Sequence, residues 1–218
     1  MAVRHPERPV IFFDWDGTLG DSMDLCLGEI RQALKRIGHA EVEEERIRAC
    51  NGPTHEESVK IMELDAEQGE RFLRERRRAE LELIPVLLKL YPGVDGIVER
   101  LSRIADLAIV SNGQKDYVEH SVMQFSLEGY FVRIQASIPG LGKTEVLGKM
   151  LEEMKPVRSV LAGDRRGDME AGIGQHLPTL AAAYGYGTEE EYALADVRAQ
   201  TPAEMEKLLE KWVRTGAF

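Results

Sequence analysis

Four short clusters carry the residues most able to do chemistry. The first reads Phe13-Asp14-Trp15-Asp16-Gly17-Thr18-Leu19 and the second Ser111-Asn112-Gly113. The third is Gly142-Lys143-Thr144, and the fourth runs from Gly163-Asp164 to Asp168. Three of them directly follow apolar runs, and a charge abutting a buried segment is costly unless paired or metal-bound. Asp14, Asp16, Asp164 and Asp168, brought to one place, could not all ionise without a cation. An all-oxygen donor set with room for water is what Mg²⁺ prefers. Lys143, Ser111 and backbone N–H groups near Gly113 and Gly17 would add positive potential beside it. Together these make a site for a phosphoryl group, whose transfer depends on in-line positioning and charge neutralisation. Taken singly, the clusters have plainer readings: Asp and Gly favour turns, Gly163-Asp164 could cap a helix, and Asp168 could be a first-turn helix charge. Their co-occurrence points to a site.

Such clusters need a scaffold that brings strand ends together. The runs 10–14, 107–111, 159–163 and 179–183 are short and apolar, as strands buried on both faces are. Helix-compatible stretches lie among them, including 94–104, 114–124, 144–154 and 168–174. Alternation of this kind predicts an α/β fold, a doubly wound parallel sheet whose ligands bind at the carboxyl ends of the strands. Thr201-Pro202-Ala203-Glu204 predicts a helix start with a capping box, followed by Met205, Leu208, Leu209 and Trp212 at helical spacing. Residues 23–90 break the alternation. Met23, Cys26, Leu27, Ile30, Ala33, Leu34 and Ile37 form one helical stripe, and charge-rich, helix-compatible sequence follows. The reading is a helical insertion over 23–90 in a core built from 1–22 and 91–218. Arg74-Glu-Arg-Arg-Arg78, interleaved with acid, reads as a solvated helix face.

Composition narrows the function. The 218 residues hold 28 Lys and Arg against 38 Asp and Glu, a net charge of -10, which disfavours nucleic acid and anionic lipid as partners. No run is long and apolar enough for a membrane span, and Met1-Ala-Val-Arg-His-Pro6 lacks the apolar stretch of a secretory signal. Cys26 and Cys50 make neither a disulfide framework nor a zinc site. The expected setting is cytoplasmic, as a monomer or homodimer. Leu141-Gly-Lys-Thr144 imitates the end of a nucleotide P-loop, but Ser137 stands where that loop needs Gly.

The four clusters, in this order, resemble the motifs of the haloacid dehalogenase superfamily. Asp21-Ser22 with a helical insertion just after it, Ala183-Tyr-Gly-Tyr-Gly187, Ala195-Asp196 and Thr201–Glu204 resemble its phosphoglycolate phosphatase-like branch, which carries a helical cap. The resemblance implies a Rossmannoid core and a Mg²⁺-dependent phosphatase acting on a small phosphorylated metabolite. It implies Asp14 as nucleophile and Asp16 as the acid and base. It gives Mg²⁺ to the Asp14 carboxylate, the Asp16 carbonyl and Asp164, with Asp168 as ligand or support. Thr18, Ser111, Asn112, Gly113 and Lys143 would bind the phosphoryl group, Ser111 and Lys143 sharing in catalysis. Thr54 and His55, in the turn Asn51-Gly-Pro-Thr-His55, would reach substrate from the cap. Thr144 stands where the family commonly has Pro, and Gly20 where a β-branched residue is usual, which would loosen the way into the cap. A phosphomutase remains open, as does a receiver-like module phosphorylated on Asp14. Asp16 speaks against a dehalogenase, which does not need it.

Overall fold

The computed structural model describes residues 1–50, 53 and 55–218, without the side chains of His55 and Glu56. Thr54 therefore lies outside the described residues, and of His55 only its place at the start of a helix is described. The chain divides into two compact units, Met1–Asp21 with Leu90–Phe218, and Ser22–Lys89.

The first unit opens with β1 (Val10–Phe13), apolar at every position and wholly buried, as a strand covered on both faces must be. The chain leaves it through a two-residue strand, β2 (Gly20–Asp21), and later passes β3 (Lys89–Leu90). Between them lie four helices, α1 (Met23–Ile37), α2 (Glu44–Arg48), α3 (His55–Ile61) and α4 (Ala66–Leu87). Then come α5 (Val94–Ser102), β4 (Asp106–Val110), α6 (Lys115–Gln124), β5 (Phe131–Gln135), α7 (Lys143–Met154) and β6 (Ser159–Gly163). The chain ends with α8 (Arg166–Gly174), β7 (Thr179–Ala182), α9 (Glu189–Tyr192), β8 (Val197–Ala199) and α10 (Pro202–Thr215).

Six strands form one parallel sheet in the order β5-β4-β1-β6-β7-β8. The chain builds outward from β1 in one direction and then in the other, so the reversal falls beside β1. Alternation puts Val10 and Phe12 on one face, where they pack with Ala108, Val110 and Leu161 against Val146, Leu147 and Met150 of α7 and Ala171 of α8. The doubly wound parallel sheet is the expected fold. Two of its strands were not expected: β5 and β8 stand at the edges and carry Arg133, Gln135 and Arg198. Charged, short edges discourage pairing with other chains.

At α10, Pro202 is the first residue and the Thr201 hydroxyl accepts from the Glu204 N–H at 3.2 Å. The expected capping box does not close, because the Glu204 carboxylate accepts from Gln200 N–H at 2.7 Å instead.

The second unit has its own core, in which Cys26, Leu27, Ile30, Ala33, Leu34 and Ile37 of α1 pack with Ile47, Cys50, Met62 and Phe72. One member of the basic run departs from the solvated reading. Arg76 lies inside, donating from Nε to Glu29 Oε1 at 2.8 Å and from one terminal nitrogen to Ser58 Oγ at 2.6 Å. The charge run hides an ion pair joining α1, α3 and α4. Both side chains are under 5% exposed, so Arg76→Met should destabilise this unit by about 3–5 kcal/mol by leaving Glu29 uncompensated. Glu29→Met/Arg76→Leu should recover most of that loss. Urea unfolding of the full chain followed by circular dichroism checks both, and a double variant no better than Arg76→Met refutes the account. Among the described residues no helix is long and apolar enough to cross a membrane.

Candidate active site

The loop after β1 starts with Asp14, whose N–H still donates to Ala162 O of β6 at 2.9 Å, so its backbone is held to the sheet. A tight turn follows, in which the Trp15 carbonyl accepts from Leu19 and Gly20 N–H at 3.0 and 2.8 Å. Gly17 has φ +81°, and a Cβ there would overlap the Asp164 carboxylate. Glycine is required at this position for both reasons. Gly20 packs against Trp15. A Cβ on it would stand 3.1 Å from Trp15 Nε1 and 3.2 Å from Cε2, so the small residue makes room for a wholly buried indole.

Lys143 begins α7 and reaches across to two carboxylates. Its Nζ donates to Asp14 Oδ1 at 2.7 Å and pairs with Asp168 Oδ1, all three side chains being less than 10% exposed. Asp168, in the first turn of α8, takes the Asp164 and Arg165 N–H groups on its other oxygen at 3.1 and 2.9 Å. It thus orients both the ammonium and the turn that carries Asp164. The Asp164 side chain is fully buried; Oδ2 accepts from the Tyr186 N–H at 2.7 Å, while Oδ1 has no hydrogen-bond partner among the described residues. A buried carboxylate oxygen without a donor costs free energy that a bound ligand can recover.

The electrostatics follow from this crowding. Burial pushes the Asp14 carboxyl up to about 7, with the Asp168 and Asp16 charges adding to it and Lys143 opposing. Burial also raises Asp164 well above the ordinary carboxylate range, again with Asp14 and Asp168 adding. For Lys143, burial pulls the other way, but Asp14 and Asp168 outweigh it and hold the ammonium charged. One lysine is too little positive charge for three carboxylates. Asp14, Asp164 and Asp168 offer oxygens within 4.8 Å of one another. All-oxygen donors, an unpartnered buried Asp164 Oδ1 and excess negative charge fit a hard divalent cation such as Mg²⁺.

The second cluster follows β4. Ser111 is buried, and its Oγ accepts from the Gly113 N–H at 3.0 Å, which leaves the hydroxyl hydrogen to donate. The Gly113 amide is thus turned onto Ser111, and the Gly17 amide likewise donates to Gly20 O at 2.8 Å. Both amides are thus engaged within their own loops. Thr18 is buried, with its carbonyl accepting from Tyr184 O–H at 2.8 Å.

The family model for haloacid dehalogenase-like hydrolases matches residues 11–182, a span that takes in all four clusters. The chain belongs to this family. The hydrolase is 26% identical to the phosphoglycolate phosphatase of Synechococcus elongatus over 89% of its own length and 94% of that protein's. It is 27% identical to the tyrosine-protein kinase PtkA of Mycobacterium tuberculosis, over 82% of this chain and 63% of that one. A haloacid dehalogenase-like family hydrolase from Streptococcus pneumoniae shares the fold, with a TM-score of 0.83 at 23% identity over 93% of this chain and 98% of that one.

Several site residues of this hydrolase escaped the reading by motif. Tyr186 enters through its backbone amide on Asp164, and its hydroxyl donates to Asp21 Oδ1 at 3.0 Å. A Cβ on Gly185 would overlap Gly17 O and stand 2.5 Å from Asp164 Cβ, so the Tyr-Gly-Tyr-Gly run packs directly on the carboxylate. Its alternation of large and absent side chains was the available signal. Tyr117 of α6 donates its O–H to Asp16 Oδ1.

Proposed function

We propose that this hydrolase is a Mg²⁺-dependent phosphatase for a small phosphorylated metabolite, phosphoglycolate-like or a sugar phosphate. The observation that carries this is the Lys143 bridge between Asp14 and Asp168 beside the unpartnered Asp164 oxygen. Asp14 attacks phosphorus, an Asp14 O–P bond forms, and the bond to the leaving oxygen breaks. Asp16 gives its proton to that oxygen. It then takes one from water, which attacks the aspartyl-phosphate and releases inorganic phosphate. Lys143 and the Ser111 hydroxyl neutralise the transferring oxygens, with Asn112, Gly113 and Thr18 shaping the cradle around them. Asp14, the Asp16 carbonyl and Asp164 would hold Mg²⁺, with Asp168 in support. When bound, the cation supplies charge neutralisation and in-line alignment.

The test is a panel of phosphorylated metabolites incubated with Mg²⁺ or with EDTA, reading inorganic phosphate. Release that needs Mg²⁺ supports the reading, and release undiminished after exhaustive chelation overturns the metal assignment. Isomerised sugar phosphate in place of free phosphate would identify a mutase, and a long-lived phosphoprotein would identify a receiver-like module.

Stability should report the metal independently. The Asp14 carboxyl is raised on folding to about 7. Its contribution is therefore fully present below the unfolded pKa near 4 and is lost as pH rises toward 7. Relief of that loss by Mg²⁺ should make the rise in Tm on adding 10 mM salt larger at pH 7.5 than at pH 5. Equal shifts at the two pH values in a thermal melt would place the cation elsewhere.

A further inference from the structure

Asp16 is the one residue of 10–20 that is only partly buried. Its carboxylate accepts from Tyr117 O–H at Oδ1. Tyr117 is only 4% exposed, and it sits in the first turn of α6, four residues past Gly113. A Cβ on Gly113 would stand 2.8 Å from Tyr117 Cδ1, so the glycine lets the ring lie on the backbone of the Ser111–Gly113 loop. One side chain thus touches both the loop beside the phosphoryl cradle and the carboxylate that handles the proton.

We infer that Tyr117 is a positioning residue for acid catalysis by Asp16. With Oδ1 taken by the phenol, the carboxyl proton resides on Oδ2, and the hydrogen bond fixes which way that oxygen faces. In the first step the Oδ2 proton passes to the leaving oxygen as its bond to phosphorus breaks and the bond from Asp14 forms. The inference rests on the phosphatase reading above. It adds an element of specificity, because an orientated acid matters most for substrates whose leaving group is a poorly stabilised alkoxide.

The experiment measures kcat/KM for 4-nitrophenyl phosphate, phenyl phosphate and glycerol phosphate, in order of falling leaving-group acidity, with Mg²⁺ throughout. Wild type, Asp16→Asn, Tyr117→Phe and the double variant are compared. Phe keeps the ring on Gly113 and removes only the hydroxyl. Tyr117→Phe should lose about 10- to 100-fold on glycerol phosphate and less than about threefold on 4-nitrophenyl phosphate. Asp16→Asn should show a steeper dependence, and the double variant should match it, as the phenol's action through that carboxylate requires. The readout is a slope, so a folding loss that lowers every rate alike does not imitate it. A parallel loss across the series, or none, makes Tyr117 structural and overturns the inference alone. An Asp16→Asn variant without steepening removes Asp16 as the acid and the inference with it. Wild type inert toward all three substrates overturns the phosphatase reading itself.

Discussion

Asp14→Asn is expected to lose at least about 10⁴-fold in phosphate release, because on the proposed mechanism it removes the covalent nucleophile and leaves only binding and charge stabilisation. The substitution keeps the shape of the side chain and an oxygen that can still accept from Lys143, 2.7 Å away in the native site. It also removes one negative charge from a cluster with too many. The folded-state pKa of Asp14 is raised, so ionising it costs stability that Asn does not lose. Without Mg²⁺ the variant should therefore melt at or above wild type, and its advantage should grow between pH 5 and pH 7.5. Phosphate release and thermal melts measured side by side check both halves. Activity above about 1% of wild type would put the nucleophile elsewhere, and a variant that melts well below wild type at pH 7.5 would refute the electrostatic account.

What could be read ahead of the structure divides along physical lines. β1 and β6 were legible because a strand covered on both faces must be apolar throughout, and Val10–Phe13 and Ser159–Gly163 nearly are. β5 was not, because an edge strand mixes Phe131 and Ile134 with Arg133 and Gln135, a pattern that loops share. Asp14, Lys143 and Asp164 announced themselves by residue type next to apolar runs. Tyr117 did not, since a tyrosine four residues into a helical stretch has an ordinary place in a core. Its hydroxyl acquires meaning only through Asp16, 101 positions away. The same holds for the Tyr186 amide, because backbone donors have no residue type to betray them. Arg76 was misread for the complementary reason. Interleaved acid and base describes an exposed face as well as a buried pair, and only the position of Glu29 on α1 distinguishes them.

Lys143→Met should cost the most stability of any single change at the site, and nearly all activity. The ammonium is the charged side chain that directly opposes both Asp14 and Asp168, with its side chain 6% exposed. Removing one member of a buried ionic group strands the others, typically at about 3–5 kcal/mol. The carboxylates can escape part of that cost by binding protons, which makes the loss depend on pH. Lys143 lowers the Asp14 pKa in the wild type, so its removal lets that value climb further above the unfolded one. Stability contributed by a raised carboxyl is kept at low pH and lost as pH rises through the folded pKa. The variant should thus be only mildly destabilised at pH 5 and severely so at pH 8. Mg²⁺ should restore more of its stability than of its activity, because a cation on the carboxylates cannot replace the donor that the proposed mechanism aims at the transferring phosphoryl oxygens. Lys143→Arg should rescue the charge while its broader head misfits the space between Asp14 and Asp168, leaving stability partly recovered and turnover low. Denaturant unfolding at pH 5 and 8, with and without Mg²⁺, gives the first comparison, and phosphate release gives the second. If Lys143→Met is destabilised equally at both pH values, its role is packing and the carboxylates do not need its charge.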